Sequence, residues 1–266
     1  MSYSILVSNY NSGPAIELCI ESVRHYTKDN PPDRFIVCND LSRHGTDETY
    51  LRNCRDKGWI ELYENESGKL MTHGGVLNRL LNEICDTDYA AVIDCDIQIL
   101  APGWTAQGLA MLADDVLGVC DFRHEAVSDQ GWCTGFYRAW FMFLNMKAYR
   151  DGMQVNWRFS YEDATKWPYS QMFGYLSAVP KSKNFNPGLA CNDPGSQLWV
   201  KVRYFNPKGY RMFDVPHSLF VKYRHYGHTC VLQDIPDEQM DGPTRASRDL
   251  KLAMITEELR KLRCLT

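Results

Sequence analysis

Asp94 and Asp96 stand one residue apart, across Cys95, where the apolar run Tyr89-Ala90-Ala91-Val92-Ile93 stops. A strand ending in Asp-x-Asp holds hard oxygen ligands at a sheet edge, where a divalent cation can bridge them to a diphosphate. Acidic pairs also cap strands and helices, so the motif takes its meaning from its surroundings. Two other polar clusters end apolar runs in the same way: Ser8-Asn9-Tyr10-Asn11 follows Ser4-Ile5-Leu6-Val7, and Asn39-Asp40 follows Phe35-Ile36-Val37-Cys38. Ligands of open parallel sheets bind beyond the carboxyl ends of the strands, where three such clusters would converge. Late in the chain His225, His228 and Cys230 form the nearest approach to a metal-type cluster. A histidine hydrogen-bonded in a loop would look the same in sequence.

The elements needed to carry these residues alternate. The run at 4–7 reads as a buried strand, and Asn11-Ser12-Gly13-Pro14 opens a helix with Ile16, Cys19, Ile20 and Val23 on one face. A strand at 35–38 follows, then a helix over about 46–56, a strand near 59–63 and a helix over about 74–85 bearing Val76, Leu77, Leu80, Leu81 and Ile84. That helix delivers the chain to the strand before Asp94. Such alternation predicts βαβ units with right-handed crossovers in a mainly parallel sheet. After Leu100 come a turn at Pro102-Gly103-Trp104, a helical stretch through Leu109 and Leu112, and a strand at Val116–Cys120. Residues 131–187 are dense in aromatic rings, most of them expected in packing and a minority lining a groove for sugar or base rings. Leu250, Met254, Ile255, Leu259 and Leu262 recur at helical spacing, predicting a C-terminal helix packed on the body.

The 266 residues, 44% hydrophobic and 23% charged, suffice for a well-buried core. A formal net charge of -4 argues against a broad electrostatic grip on nucleic acid. The N-terminus lacks the basic and apolar regions of a leader, and no run approaches the roughly 20 apolar residues that span a bilayer. The expectation is a soluble, cytoplasmic protein. The ten cysteines are scattered, several of them in apolar runs, with no Cys-x-x-Cys pair, as expected of reduced core thiols.

On these residues the sequence resembles the family 2 glycosyltransferases of the GT-A fold. Ser8-Asn9-Tyr10-Asn11 is similar to the family's first strand end at the nucleobase. Asn39-Asp40-Leu41-Ser42 with Gly45-Thr46-Asp47 is similar to an Asp-Asp-Gly-Ser then Thr-Asp signature, with Asn39 and Leu41 departing from it. Asn65-Glu66-Ser67-Gly68, then Gly74 and Asn78, resembles the segment before the metal strand, although Leu77 stands where the family has arginine. Tyr89 to Asp96 matches the metal-strand signature closely. Cys133-Thr134-Gly135-Phe136 and Phe141–Met146 resemble an acceptor-side strand. Asn192-Asp193-Pro194-Gly195-Ser196-Gln197-Leu198, running to Gly209-Tyr210, resembles a helix headed by the catalytic aspartate, and Arg224–Thr229 resembles the family's late His-x-Gly-Gly-x-Ser.

The resemblance implies a Rossmann-like α/β fold of GT-A type, with a mainly parallel central sheet flanked by helices, an aromatic-rich acceptor side and a C-terminal helix. Residues 1–100 would form the nucleotide-sugar half, 101–235 the acceptor half and 236–266 a helical extension. It implies Mn²⁺ or Mg²⁺ held by Asp94, Asp96 and His225, with His228 as the rival to His225. Ser8, Tyr10, Asn11, Asp40, Gly68, Asn78 and Asp94 would contact the nucleotide, UDP by family precedent. Asp193 would be the catalytic base, with Asp163 as the rival, and either could instead cap a helix. One base without an enzyme nucleophile implies an inverting hexosyltransferase. The acceptor is left open between a glycan, a small molecule, a protein and a modified DNA base. The competing classes are a sugar nucleotidyltransferase, which would need a glycine-rich basic loop that Ser8–Ser12 lacks, and an inactive nucleotide-sugar binder.

Overall fold

The computed structural model describes residues 1–42, 45–123, 136–157, 195, 198–199, 201–202, 205–214, 222–227 and 239–265. A seven-stranded sheet runs in the order β3-β2-β1-β4-β7-β6-β8, from β1 (Tyr3–Asn9), β2 (Arg34–Asn39), β3 (Glu61–Glu64), β4 (Tyr89–Asp94), β6 (Val116–Arg123), β7 (Phe136–Asn145) and β8 (Arg211–Asp214). β1 pairs in parallel with β2 and β4, β2 with β3, and β6 with β8, whereas β7 runs antiparallel to both β4 and β6. Six strands therefore point one way and only β7 is reversed. The expected α/β architecture with a mainly parallel sheet is the one observed.

Helices cover both faces, so strand positions on both sides are apolar. Ile5 and Val7 of β1 pack with Val37, Ile93, Phe141 and Phe143 under α1 (Pro14–Tyr26), α2 (Gly45–Asp56) and α4 (Trp104–Ala110). Leu6, Ile36, Val92, Met142 and Leu144 face the other way, onto α3 (Thr72–Asn78) and the wider π-helical turns at Arg79–Ile84 that continue it. The predicted helix over 74–85 is thus one continuous coil with two pitches. α5 (Met146–Ala148) is a single turn capped by the Asn145 side chain, which accepts from the Ala148 amide at 3.1 Å.

A second, two-stranded sheet joins β5 (Ile97–Ile99) to β9 (Tyr223–His225) in antiparallel register, with Ile97 opposite His225. The C-terminal helix α6 (Gly242–Arg263) packs on α1 through Ile255, Leu259 and Leu262, which meet Ala15, Leu18 and Tyr226. Leu250 and Met254, expected on that stripe, are exposed. At 100° per residue they lie well round the helix from Ile255 and Leu259, outside the apolar contact that those residues and Leu262 make with the body. Six described cysteines are buried free thiols and Cys264 is an exposed one. No helix among the described residues is long and apolar enough to cross a membrane.

Two measurements test this packing. A Cβ at Gly108 of α4 would overlap the ring of buried Phe143 in β7. Gly108→Ala should therefore lower stability by about 1–3 kcal/mol in urea melts, reversing the roughly 1 kcal/mol gain that helix propensity alone would give. At the start of β2, Arg34 donates to Glu61 at 2.8 and 2.6 Å and to Asp86 at 2.7 Å, holding both carboxyls below their ordinary range. A depressed folded-state pKa contributes stability that is present above the carboxylate range and is lost as pH falls through the folded values. Melting temperature should decline as pH falls below about 5, and less steeply in Arg34→Gln. The difference should be small, because both carboxylates are largely solvated.

Candidate active site

The sheet register builds the site. Ser8 lies opposite Asp94 on one side and Cys38 on the other, and Asn9 lies opposite Asn39, so the three polar strand ends do share one rim. Beyond β1 the chain must turn sharply into α1. Asn11 takes a left-handed φ of 45° and Gly13 a φ of 54° before Pro14 starts the helix.

That turn is buried and polar, and several of its hydrogen bonds run between its own residues and the end of β2. The Ser42 hydroxyl donates to Asn39 Oδ1 at 2.6 Å and accepts from Asn9 Nδ2 at 3.2 Å and the Asn11 amide at 3.0 Å. This uses the one donor and two lone pairs a hydroxyl has. Asn9 Nδ2 also donates to Asn39 Oδ1 at 2.8 Å, and Ser12 Oγ donates to Asn9 Oδ1. The Gly13 amide donates to Asp47 of α2 at 3.1 Å.

Asp40, also buried, turns its carboxylate to a neighbouring loop. It accepts from Asn65 Nδ2 at 2.6 Å and, with both oxygens, from the Met71 amide at 3.1 and 2.9 Å. Gly68 lies in that loop at φ 68°. Asn78 stands at the far end of α3, where its carboxamide donates to Asn156 at 2.6 Å and accepts from the Trp157 amide at 2.7 Å. Tyr10 follows the last residue of β1.

At the centre of the rim, ligand atoms of Asp94, Asp96 and His225 lie within 4.8 Å of one another. Asp96 is buried, and its Oδ1 is 3.1 Å from His225 Nε2. Asp94 Oδ1 is 3.2 Å from His73 Nε2 and 3.5 Å from Ser8 Oγ. The short β5–β9 ladder brings His225 back beside the motif across more than a hundred residues. It is fastened by the Tyr226 amide donating to Asp96 O at 3.1 Å and the Leu100 amide to Lys222 O at 2.8 Å. Trp140 of β7 stacks on the imidazole, with ring centres 4.5 Å apart and planes at 25°. Burial pulls the His225 pKa down, but the hydrogen bond and charge of Asp96, with Asp94 beyond it, outweigh that and leave it raised. The thiol of Cys19, close to the backbone of Asp94, is pushed far up by burial and then by the two aspartates, so it is unreactive.

Two carboxylates and one imidazole are a donor set suited to a borderline divalent cation such as Mn²⁺. Ligands about 2.1 Å from one octahedral ion stand at most about 4.2 Å apart. The observed spread is close to that span, so the residues fit the group.

A sequence model described as "Glycosyl transferase family 2" matches residues 4–173, nearly two thirds of the chain. The chain belongs to glycosyl transferase family 2. Among solved structures it is similar to the mannosyltransferase PcManGT of Pyrobaculum calidifontis, determined with GDP-Man and Mn²⁺, at 16% identity and a TM-score of 0.50. That match covers 80% of this chain and 54% of the other, so this chain spans about half the length of that relative. At this identity the likeness is one of fold, the GT-A fold expected above. TarS of S. aureus matches at 17% identity and a TM-score of 0.40, over 57% of this chain and 49% of that one. No curated protein sequence matches the chain.

The structure brings Ser8, Asp94, Asp96 and His225 together and sets Asp40, Gly68 and Asn11 in the loops that frame them. Asp193, Asp163, His228, Cys230 and the Cys133–Gly135 segment lie outside the described residues, as do most of the aromatic residues of 131–187. Sequence reasoning missed His73 and Trp140. His73 precedes Gly74-Gly75, and that pair, buried against the sheet, was the available signal that the helix start approaches the rim closely. A cleft of about 760 Å³ at the opposite end of the sheet is lined by Arg24, Arg34, Trp59 and Glu61, but its guanidinium groups are already paired with carboxylates.

Ser42 is the hub of the buried turn, so Ser42→Ala would remove the hydroxyl that accepts from the Asn11 amide and donates to Asn39 Oδ1. The expected loss is about 1–3 kcal/mol in a urea melt. An unchanged midpoint would mean that the hydroxyl does not hold the turn.

Proposed function

We propose that this chain is a metal-dependent, inverting hexosyltransferase that moves a sugar from a nucleoside-diphosphate donor, UDP-linked on family precedent, to an acceptor hydroxyl. The observation that carries the reading is the meeting of Asp94, Asp96 and His225 at the carboxyl rim of a family 2 chain. Asp94, Asp96 and His225 would hold Mn²⁺ or Mg²⁺. The bound ion would neutralise the charge that gathers on the leaving diphosphate.

The remaining work falls to the chain. Ser8 and Asp94 stand where the ribose and diphosphate would lie, with Tyr10 and Asn11 on the loop toward the base. Asp40 and Asn78 act through what they hold: Asp40 fixes the loop carrying Gly68, and Asn78 ties α3 to residues 156–157. Trp140, flat against His225, keeps that imidazole from rotating away and excludes water on one side. An acceptor hydroxyl is a poor nucleophile near neutral pH, and a carboxylate that removes its proton as the bond forms accelerates transfer typically about 10²–10⁴-fold. Asp193 is assigned that role on the resemblance of its segment. A single base and no covalent enzyme intermediate invert the anomeric centre.

A thermal-shift screen of nucleotide sugars with and without Mn²⁺ tests the donor, because a ligand binding only the folded state raises the apparent melting point by mass action. Asp96→Ala should abolish both the metal-dependent shift and turnover. Asp193→Asn should keep the shift and lose transfer. Full turnover by Asp96→Ala in EDTA would refute the metal assignment, and loss of transfer in Asp163→Asn instead of Asp193→Asn would move the base.

A further inference from the structure

We infer that His73 is a positioning residue of the metal centre, its imidazole fixing the Asp94 carboxylate in the orientation from which Asp94 serves the cation and the donor. The inference rests on the metal-dependent reading above. His73 Nε2 lies 3.2 Å from Asp94 Oδ1, whereas the Ser8 hydroxyl reaches the same oxygen only at 3.5 Å, the outer limit of a hydrogen bond. His73 stands outside the set of three ligands itself, which comprises Asp94, Asp96 and His225. Each carboxylate of the motif thus faces one imidazole, His225 at Asp96 and His73 at Asp94.

The backbone around His73 is held for this purpose. Both oxygens of Asp40 grip the Met71 amide, and Asn65 Nδ2 bridges Asp40 to the Lys69 carbonyl at 2.6 and 2.7 Å. The next residue, Thr72, takes a φ of 67°. A β-branched residue in the left-handed region is strained and persists only where its surroundings over-determine it. That strained residue lies directly between the amide tied to β2 and the imidazole facing the end of β4. Residues 71–73 therefore form a short strap between two strand ends, and its product is the placement of His73. Carboxylate ligands oriented by an outer hydrogen-bonding partner typically lose about 10–100-fold in metal affinity when that partner is removed.

The test is the Kd for Mn²⁺ alone, read from the electron paramagnetic resonance signal of unbound Mn²⁺, for wild type, His73→Ala, His73→Gln and Asp96→Ala. His73→Ala should raise the Kd about tenfold or more. His73→Gln should recover most of the affinity, because its amide nitrogen can stand where Nε2 does. Melting temperatures of both His73 variants should match wild type, since 38% of this side chain is exposed and little packing is lost. A wild-type Kd in His73→Ala, or a His73→Gln no better than His73→Ala, overturns the inference. If Asp96→Ala loses Mn²⁺ while His73→Ala does not, the metal reading stands and the positioning role falls. Wild-type protein that takes up no Mn²⁺ overturns both.

Discussion

Asp96 is buried and only one residue from Asp94, and two carboxylates so placed must find positive or hydrogen-bonding partners. Most of the architecture around the rim follows from that demand. One partner arrives from upstream, where α3 starts against the sheet, and the other from far downstream, on β9. Neither partner is permanently charged. Imidazoles can support the pair without neutralising it for good, which leaves the carboxylates able to receive a cation. A guanidinium in the same place would hold them in a fixed ion pair.

The parallel register supplies the other half of the constraint. Strand ends aligned on one rim leave backbone and side-chain polar groups partly buried under the loops that follow, and those groups need partners inside the protein. The Asn9–Asn39–Ser42 network answers this for the first two strands, and Asp40 answers it for the loop at 65–71. A rim satisfied in this way is rigid, and rigidity is what an electrostatic site requires, because preorganised groups need not reorganise as charge develops.

The first hundred residues were legible because their signals are local. Buried strands there are continuous apolar runs, helices show an apolar face, and the polar clusters fall where the runs stop. The reversed direction of β7 was not legible, since its residues Tyr137–Asn145 would read the same in either direction. Nor was the β5–β9 ladder, because three-residue strands carry no period and the pairing of Ile97 with His225 joins distant segments. His225 stood out in a loose cluster with His228 and Cys230, but its link to Asp94 and Asp96 entered only through the resemblance. His73 escaped because a single histidine at a helix start has no pattern of its own. Its meaning lies in a contact with Asp94, and the left-handed turn at Thr72 that creates the contact uses a residue type rarely found there.

The departures at Asn39 and Leu41 have physical readings that leave the site intact. Asn39 and Asp40 are both buried, so an aspartate at 39 would set a second charge beside the first in a poorly solvated place. The asparagine accepts the same two hydrogen bonds, from Asn9 and Ser42, without that charge. Leu41 takes a φ of 52°, the conformation a glycine adopts freely and an ordinary residue adopts at a cost of about 1–2 kcal/mol. The turn therefore keeps the shape that the family's glycine permits. It is held on one side by the Asp40 amide donating to Asn9 O at 2.8 Å and on the other by the Ser42 hydroxyl. Hydrogen bonding has replaced backbone freedom as the means of holding this corner, and Asp94 and Asp96 stand at and just beyond the end of β4, across β1 from it, where neither substitution reaches.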